Sequence, residues 1–154
     1  MFAIIRIRGP AKVNVNIENT MKLLNLTRVN HCVIYPEDKY VKGMLHKLRN
    51  MVTYGEISKE ALKKMLNKRG YCYNEKGKLI KFKEHYKDEK KQDKVIEEIV
   101  SGKAKLEDLG IKKVFRLKPP TKGFDRKGIK KTFKEGGVLG YRADQINTLL
   151  LKMI

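Results

Sequence analysis

Two cysteines, Cys32 and Cys72, are all that the 154 residues contain. That is too few for a disulfide framework and fits a reducing compartment, the cytoplasm. The start, MFAIIRIRGP, is a short apolar run with arginines inside it and no small-residue cleavage site, so it does not read as a signal peptide. Long hydrophobic stretches are missing as well. Nothing approaches the roughly 18–20 apolar residues that span a bilayer, and no membrane role is expected. His31, His46 and His85 share no CxxC or HxxxH spacing with the cysteines, which argues against zinc. His31 and Cys32 are adjacent on a predicted strand and point to opposite faces, so they make no dyad. The chain lacks a P-loop and a GxSxG elbow, and Gly136, Gly137 and Gly140 miss the dinucleotide fingerprint. These gaps predict no cofactor, no metal, no small-molecule substrate and no enzymatic role.

Acidic residues are also scarce, 17 against 36 lysines and arginines, for a net charge of +19 and a pI near 9.9. Such a balance points to nucleic acid or another anionic surface as partner. Hydrophobic residues make up 41%, enough for a real core, so the chain is not globally disordered. The charge is unevenly placed. Residues 1–70 hold 14 basic and 5 acidic side chains, residues 71–110 hold 10 and 9, and residues 111–154 hold 12 and 3. Two regions are built to meet an anion, and the near-neutral middle is predicted to face solvent or a protein neighbour.

Periodicity predicts a β-α-β-α-β start: strands at 2–7, 29–35 and 51–57, with helices carrying Ile17, Met21 and Leu24, and Val41, Met44, Leu45 and Leu48. Connections this short suit an α+β, ferredoxin-like core with helices on one face of a mainly antiparallel sheet. Ser58 then caps a third helix that stops at Gly70. A hairpin about Asn74–Gly77 follows, then a charged stretch (Lys83 to Lys94) open between loop and exposed helix. A short helix runs through Val95, Ile96, Ile99 and Val100, and a last strand occupies 114–117 before Pro119-Pro120. Ile146, Leu149, Leu150 and Met153 make a C-terminal helix. The expected division is a core at 1–57, a helical and hairpin extension at 58–110, and a basic tail with its helix at 111–154.

The tail is the informative stretch. From Lys122 to Lys134 six cations (Lys122, Arg126, Lys127, Lys130, Lys131 and Lys134) stand against one anion, Asp125. Unpaired ammonium groups cost several kcal/mol to bury, so this strap needs water or a polyanion. The helix after it needs a folded core, which speaks against simple disorder. Extended basic backbone with Gly136 and Gly137 suits an irregular RNA surface, and Phe124 is its candidate for stacking on a base. On the second helix Lys39, Lys42, His46 and Arg49 adjoin Gly43, which points away from the core. An interior helical glycine costs about 1 kcal/mol against alanine, and close approach of an RNA backbone gives it a use. Arg6, Arg8 and Lys12 at the first strand's exit are either further phosphate contacts or a charged rim.

The segments IIRIRG, TMKLLNLTRVNH and YPEDKYVKGMLHKLRNMVTYGEI resemble the ribosomal protein family called L-thirty in bacteria and L-seven in eukaryotes. GFDRKGIKKTFKEGGVLGYRADQIN resembles the extension shared by archaeal and eukaryotic members. The long basic arm of eukaryotic members is missing, which points to the archaeal form. The resemblance implies a ferredoxin-like core, residence in the large ribosomal subunit, contact with 23S rRNA near the 5S rRNA, and adjacent ribosomal proteins as neighbours. It also implies a constituent of a particle, with Arg6, Arg8, Arg28, Lys42, Gly43, Arg49 and the strap's basic positions through Arg142 as the residues to carry over. A free RNA-maturation factor or chaperone and a small ferredoxin-like enzyme are the rival readings.

Overall fold

The computed structural model describes residues 1–11, 13–74, 77–102 and 104–154. Lys12, expected among the RNA contacts, lies outside them, as do the two central residues of the Asn74–Gly77 turn. The chain opens with β1 (Phe2–Arg6), α1 (Val15–Leu23), β2 (His31–Tyr35), α2 (Lys39–Leu48) and β3 (Val52–Glu56), the order that the periodicity predicts. β1 lies between β2 and β3 and is antiparallel to both. All five of its residues are buried because both faces of the sheet are covered. Phe2 and Ile4 pack with Val33 and Val52 beneath Met21 and Leu24 of the α1 segment and Val41, Leu45 and Leu48 of α2. Ala3 and Ile5, one step out of phase, face the opposite side.

That opposite side is covered by the rest of the chain. α3 (Lys59–Arg69) starts at Ser58, whose hydroxyl accepts from the backbone N–H of Ala61 at 3.2 Å. The hairpin β4 (Tyr71–Tyr73) and β5 (Leu79–Lys81) leads through the one-turn α4 (Phe82–His85) into α5 (Glu89–Val100). β6 (Val114–Arg116) pairs antiparallel with β2, and β7 (Gly140–Tyr141) pairs parallel with β3, giving the order β6-β2-β1-β3-β7. α6 (Gln145–Met153) closes the chain. Leu62 and Met65 of α3, Ile96 and Ile99 of α5, Phe115, and Ile146 and Leu150 of α6 share one core with Ile5 and Cys32. Residues from all three predicted segments therefore hold a single cluster together.

The charged stretch left open between loop and helix is mostly helix. α5 begins at Glu89, six residues before its first buried aliphatic, Val95. Gln92 explains the early start: it is buried, and its side-chain amide donates to the carbonyl of Tyr86 at 2.6 Å, anchoring the polar first turn. Asn147 ties α6 to the end of β3, donating to the Glu56 carbonyl at 3.0 Å and accepting from Ser58 N–H at 2.8 Å. Gly55 permits this docking. A Cβ there would stand 2.1 Å from the carbonyl oxygen of Ala143, so only glycine lets the turn before α6 lie on the strand.

Candidate nucleic-acid interface

The sheet has two unlike ends. β1 and β6 finish at one of them, and β2, β3 and β7 begin there, as the pairings Arg6 with Val52, His31 with Arg116 and Thr53 with Gly140 require. Arg8 follows β1, Arg28 precedes β2, Arg49 opens the turn out of α2, and Arg116 and Lys118 lie at and beyond the end of β6; all five are exposed. Backbone bonds hold these loops in place. The N–H groups of Ile7 and Arg8 donate to the carbonyl of Met51 at 2.9 and 3.2 Å, and Leu117 N–H donates to Asn30 at 3.1 Å. The resulting field is felt by His31 at the start of β2. Its pKa is lowered first by burial and then by Arg116, Arg28, Arg6 and Lys112. At the opposite end of the sheet Glu56 closes β3, and Glu37 and Asp38 follow β2.

The strap enters the sheet at the basic end, just ahead of β7. It folds back on itself through two 3-10 turns, Gly128–Lys130 and Phe133–Glu135. The second carries a capping box in which Glu135 accepts from the backbone N–H of Thr132 at 3.2 Å. Those bonds, then Lys131 and Lys127, hold the Glu135 carboxyl below its ordinary pKa. Gly137 N–H donates to the carbonyl of Thr132 at 2.8 Å, and Phe133 N–H to that of Leu139 at 2.8 Å. Arg142 fastens this folded strap to the sheet. Its Nη2 donates to Asp125 and to the Val138 carbonyl, both at 3.0 Å, and its Nε to the Thr53 hydroxyl at 3.0 Å. Its guanidinium also lies 4.6 Å from the centre of the Phe133 ring.

On α2 the expected contact residues are exposed but split between two flanks. Lys39 and Gly43 line a groove toward α1 together with Lys47. Lys42, His46 and Arg49, at helical spacing, share the other flank, and the Arg49 carbonyl lies beside Gly140 of β7. The Lys42 ammonium is engaged by Glu37 at 2.6 Å and lies 6.0 Å from the centre of the Phe2 ring.

The family model described as "Ribosomal protein L30p/L7e" matches residues 2–52. Beyond it, a curated relative named "Large ribosomal subunit protein uL30" from Methanococcus maripaludis is 45% identical over 153 residues, covering 99% of both chains. Proteins of the same name from Methanosphaera stadtmanae and Nanoarchaeum equitans are 42% and 40% identical over 154 residues, with 99–100% of each chain covered. The chain belongs to the uL30 family. Membership makes it a large-subunit ribosomal protein of the archaeal kind, a constituent of a cytoplasmic particle rather than an enzyme.

For a uL30 chain the distribution of ion pairs is the telling feature. Some cations of the extension pair with carboxylates: Lys59 with Glu97, Lys63 with Asp93 and Lys91 with Asp88 at 2.5–3.2 Å, and just beyond the extension Lys113 pairs with Glu107. Lys122, Arg126, Lys127, Lys130, Lys131 and Lys134 are all exposed, and among the described residues none of them has an ion-pair partner. Arg8, Arg28, Arg49, Arg116 and Lys118 are likewise without one among the described residues.

Four residues expected to touch RNA are engaged within this uL30 fold. Arg6 is 2% exposed and donates through Nη1 to the carbonyls of Leu26 and Thr27 at 2.7 and 3.0 Å, pinning the loop before β2. Burial lowers its pKa, with Glu18 partly offsetting. Arg142 is 4% exposed beneath the strap. Phe124 packs half-buried against the main core, so part of its ring serves the fold. Gly137 is buried, and a Cβ on it would meet the Lys131 carbonyl oxygen at 2.2 Å, so the strap's own fold requires that glycine. Arg116 and Lys118 join this basic end although sequence reasoning did not single them out. The signal was present: cations flanking the last residues of a strand that stops at Pro119 must lie at one end of the sheet.

Proposed function

We propose that the chain binds large-subunit 23S rRNA through the basic end of its sheet and the strap beside it, near the 5S rRNA, and so stabilises the subunit for translation. The observation that supports this reading is the partition of ion pairs. Lys59, Lys63 and Lys91 of the extension are paired with carboxylates, and residues 71–110 are near neutral. Among the described residues no cation of the strap from Lys122 to Lys134 or of the sheet end (Arg8, Arg28, Arg49, Arg116, Lys118) has an ion-pair partner, which leaves their charge for an outside anion. Phosphates supply it. Each cation that meets a phosphate releases condensed counterions, which gives affinity that falls with salt. Specificity comes from RNA shape: the strap is locked to the sheet by Arg142, so only RNA elements that present phosphates to both surfaces at once are held. The outward side of residues 71–110, mixed in charge, faces solvent or an adjacent ribosomal protein.

Sedimentation of native extract before and after a high-salt wash tests this. The reading predicts about one copy per large subunit in both gradients, because two joined surfaces must release together. Loss of the protein to the top of the washed gradient supports a transient maturation factor instead.

A further inference from the structure

Between α1 and α2 runs an open groove of about 540 Å³ lined by Leu23, Lys39, Tyr40, Gly43, Met44 and Lys47. Its composition is unusual for a helix surface. Leu23 and Tyr40 are 73% and 79% exposed, so two large apolar groups stand in water with a methionine between them. The two charged residues in the lining are both lysines, and no carboxylate lines it among the described residues. Gly43 sits between them with nothing within 4 Å of the place a Cβ would occupy, so no packing inside the protein requires glycine there. A second groove, on the other side of Tyr40, is also apolar, but Asp38 and Glu107 in its lining balance Lys105 and Lys113, so it lacks the one-signed positive lining of the first.

Resting on the rRNA reading above, we propose that the α1–α2 groove receives one unstacked nucleotide of RNA. Its base stacks on Tyr40 against Leu23 and Met44, its backbone crosses the helix at Gly43, and its flanking phosphates meet Lys39 and Lys47. The two lysines are eight residues apart, about 12 Å along the helix, so they bracket the base without crowding it. An aromatic platform between cations is how proteins hold bases extruded from RNA, since every base has a face to stack. Gly43 then has a purpose: its missing side chain lets the sugar-phosphate backbone lie against the helix.

The chain has no tryptophan, so Tyr40→Trp places a single reporter in the groove. Titrating the full-length variant with protein-free 23S rRNA quenches its fluorescence at a 1:1 ratio. Tyr40→Ala, at an exposed position and so folded as the parent, weakens that binding by about 10–100-fold while leaving its salt dependence unchanged. Gly43→Ala separates function from stability. It raises the melting temperature by about 2–4 °C, because alanine is the better helix former, yet weakens binding. Unquenched fluorescence with full affinity in Tyr40→Ala and Gly43→Ala overturns the proposal. So does release of a neighbouring ribosomal protein from purified subunits by Tyr40→Ala with rRNA affinity intact, which marks a protein-docking groove. In either event, a loss of binding on neutralising Lys127, Lys130 and Lys131 keeps the general rRNA reading standing; if that variant also binds normally, the general reading fails too.

Discussion

Replacing Arg142 by alanine lowers the unfolding free energy by about 2–4 kcal/mol and frees the strap from the sheet. The side chain is almost wholly buried and joins three positions of the strap, Asp125, Phe133 and Val138, to Thr53 of β3. Truncation removes charge-assisted bonds and leaves the Val138 carbonyl without its partner in a water-poor site. The loss stays below that of breaking a fully buried pair because the Asp125 side chain is 40% exposed and recovers water. Urea unfolding measures it as a lower midpoint at unchanged slope. Arg142→Lys restores the charge but not the planar fork and recovers only part of the stability. Limited trypsin digestion adds a local readout, with cleavage inside residues 122–134 rising sharply in the alanine variant. An unchanged midpoint and an intact strap would show that Arg142 holds nothing.

Neutralising Lys127, Lys130 and Lys131 together, as glutamines, leaves the fold within about 0.5 kcal/mol of the parent, because all three are exposed and without an ion-pair partner among the described residues. The effect falls on rRNA affinity. Each phosphate contact contributes about 0.7–0.9 to the slope of log K against log salt, so the slope becomes shallower by about 2–3 units. At 0.1 M salt the same term corresponds to a loss on the order of 100-fold. Filter binding to 23S rRNA over a salt series separates the two quantities. A triple variant of the extension, Lys59, Lys63 and Lys91 to glutamine, is the control. Those ammonium groups already face carboxylates within the protein, so affinity and slope stay near the parent's.

The elements of this fold were open to reading because their signals are local. β1 has no polar residue before Arg6, and Ser58 announces α3. The apolar spacing of α1, α2 and α6 is helical throughout. The identity of the charged strap was equally plain from composition. What the sequence did not disclose is which cations look inward. Arg6 and Arg142 are the same residue type as Arg8 and Arg49, and only the three-dimensional arrangement of carbonyl acceptors around them decides that they are structural. The strap misled in the same way. Six cations in thirteen residues suggest an extended ribbon, but a capping box and the close approach of Gly137 to Lys131 fold it back. Gathering Arg8, Arg28, Arg49 and Arg116 at one end of the sheet depends on strand order, which no single segment encodes.

Ultraviolet cross-linking of purified large subunits, followed by mass spectrometry of RNA-linked peptides, tests the central claim most directly. RNA-linked peptides are expected from residues 122–134 and from the loops carrying Arg8, Arg28, Arg49 and Arg116. Cross-links confined to residues 71–110, with the strap and the basic end of the sheet unmodified, would contradict it.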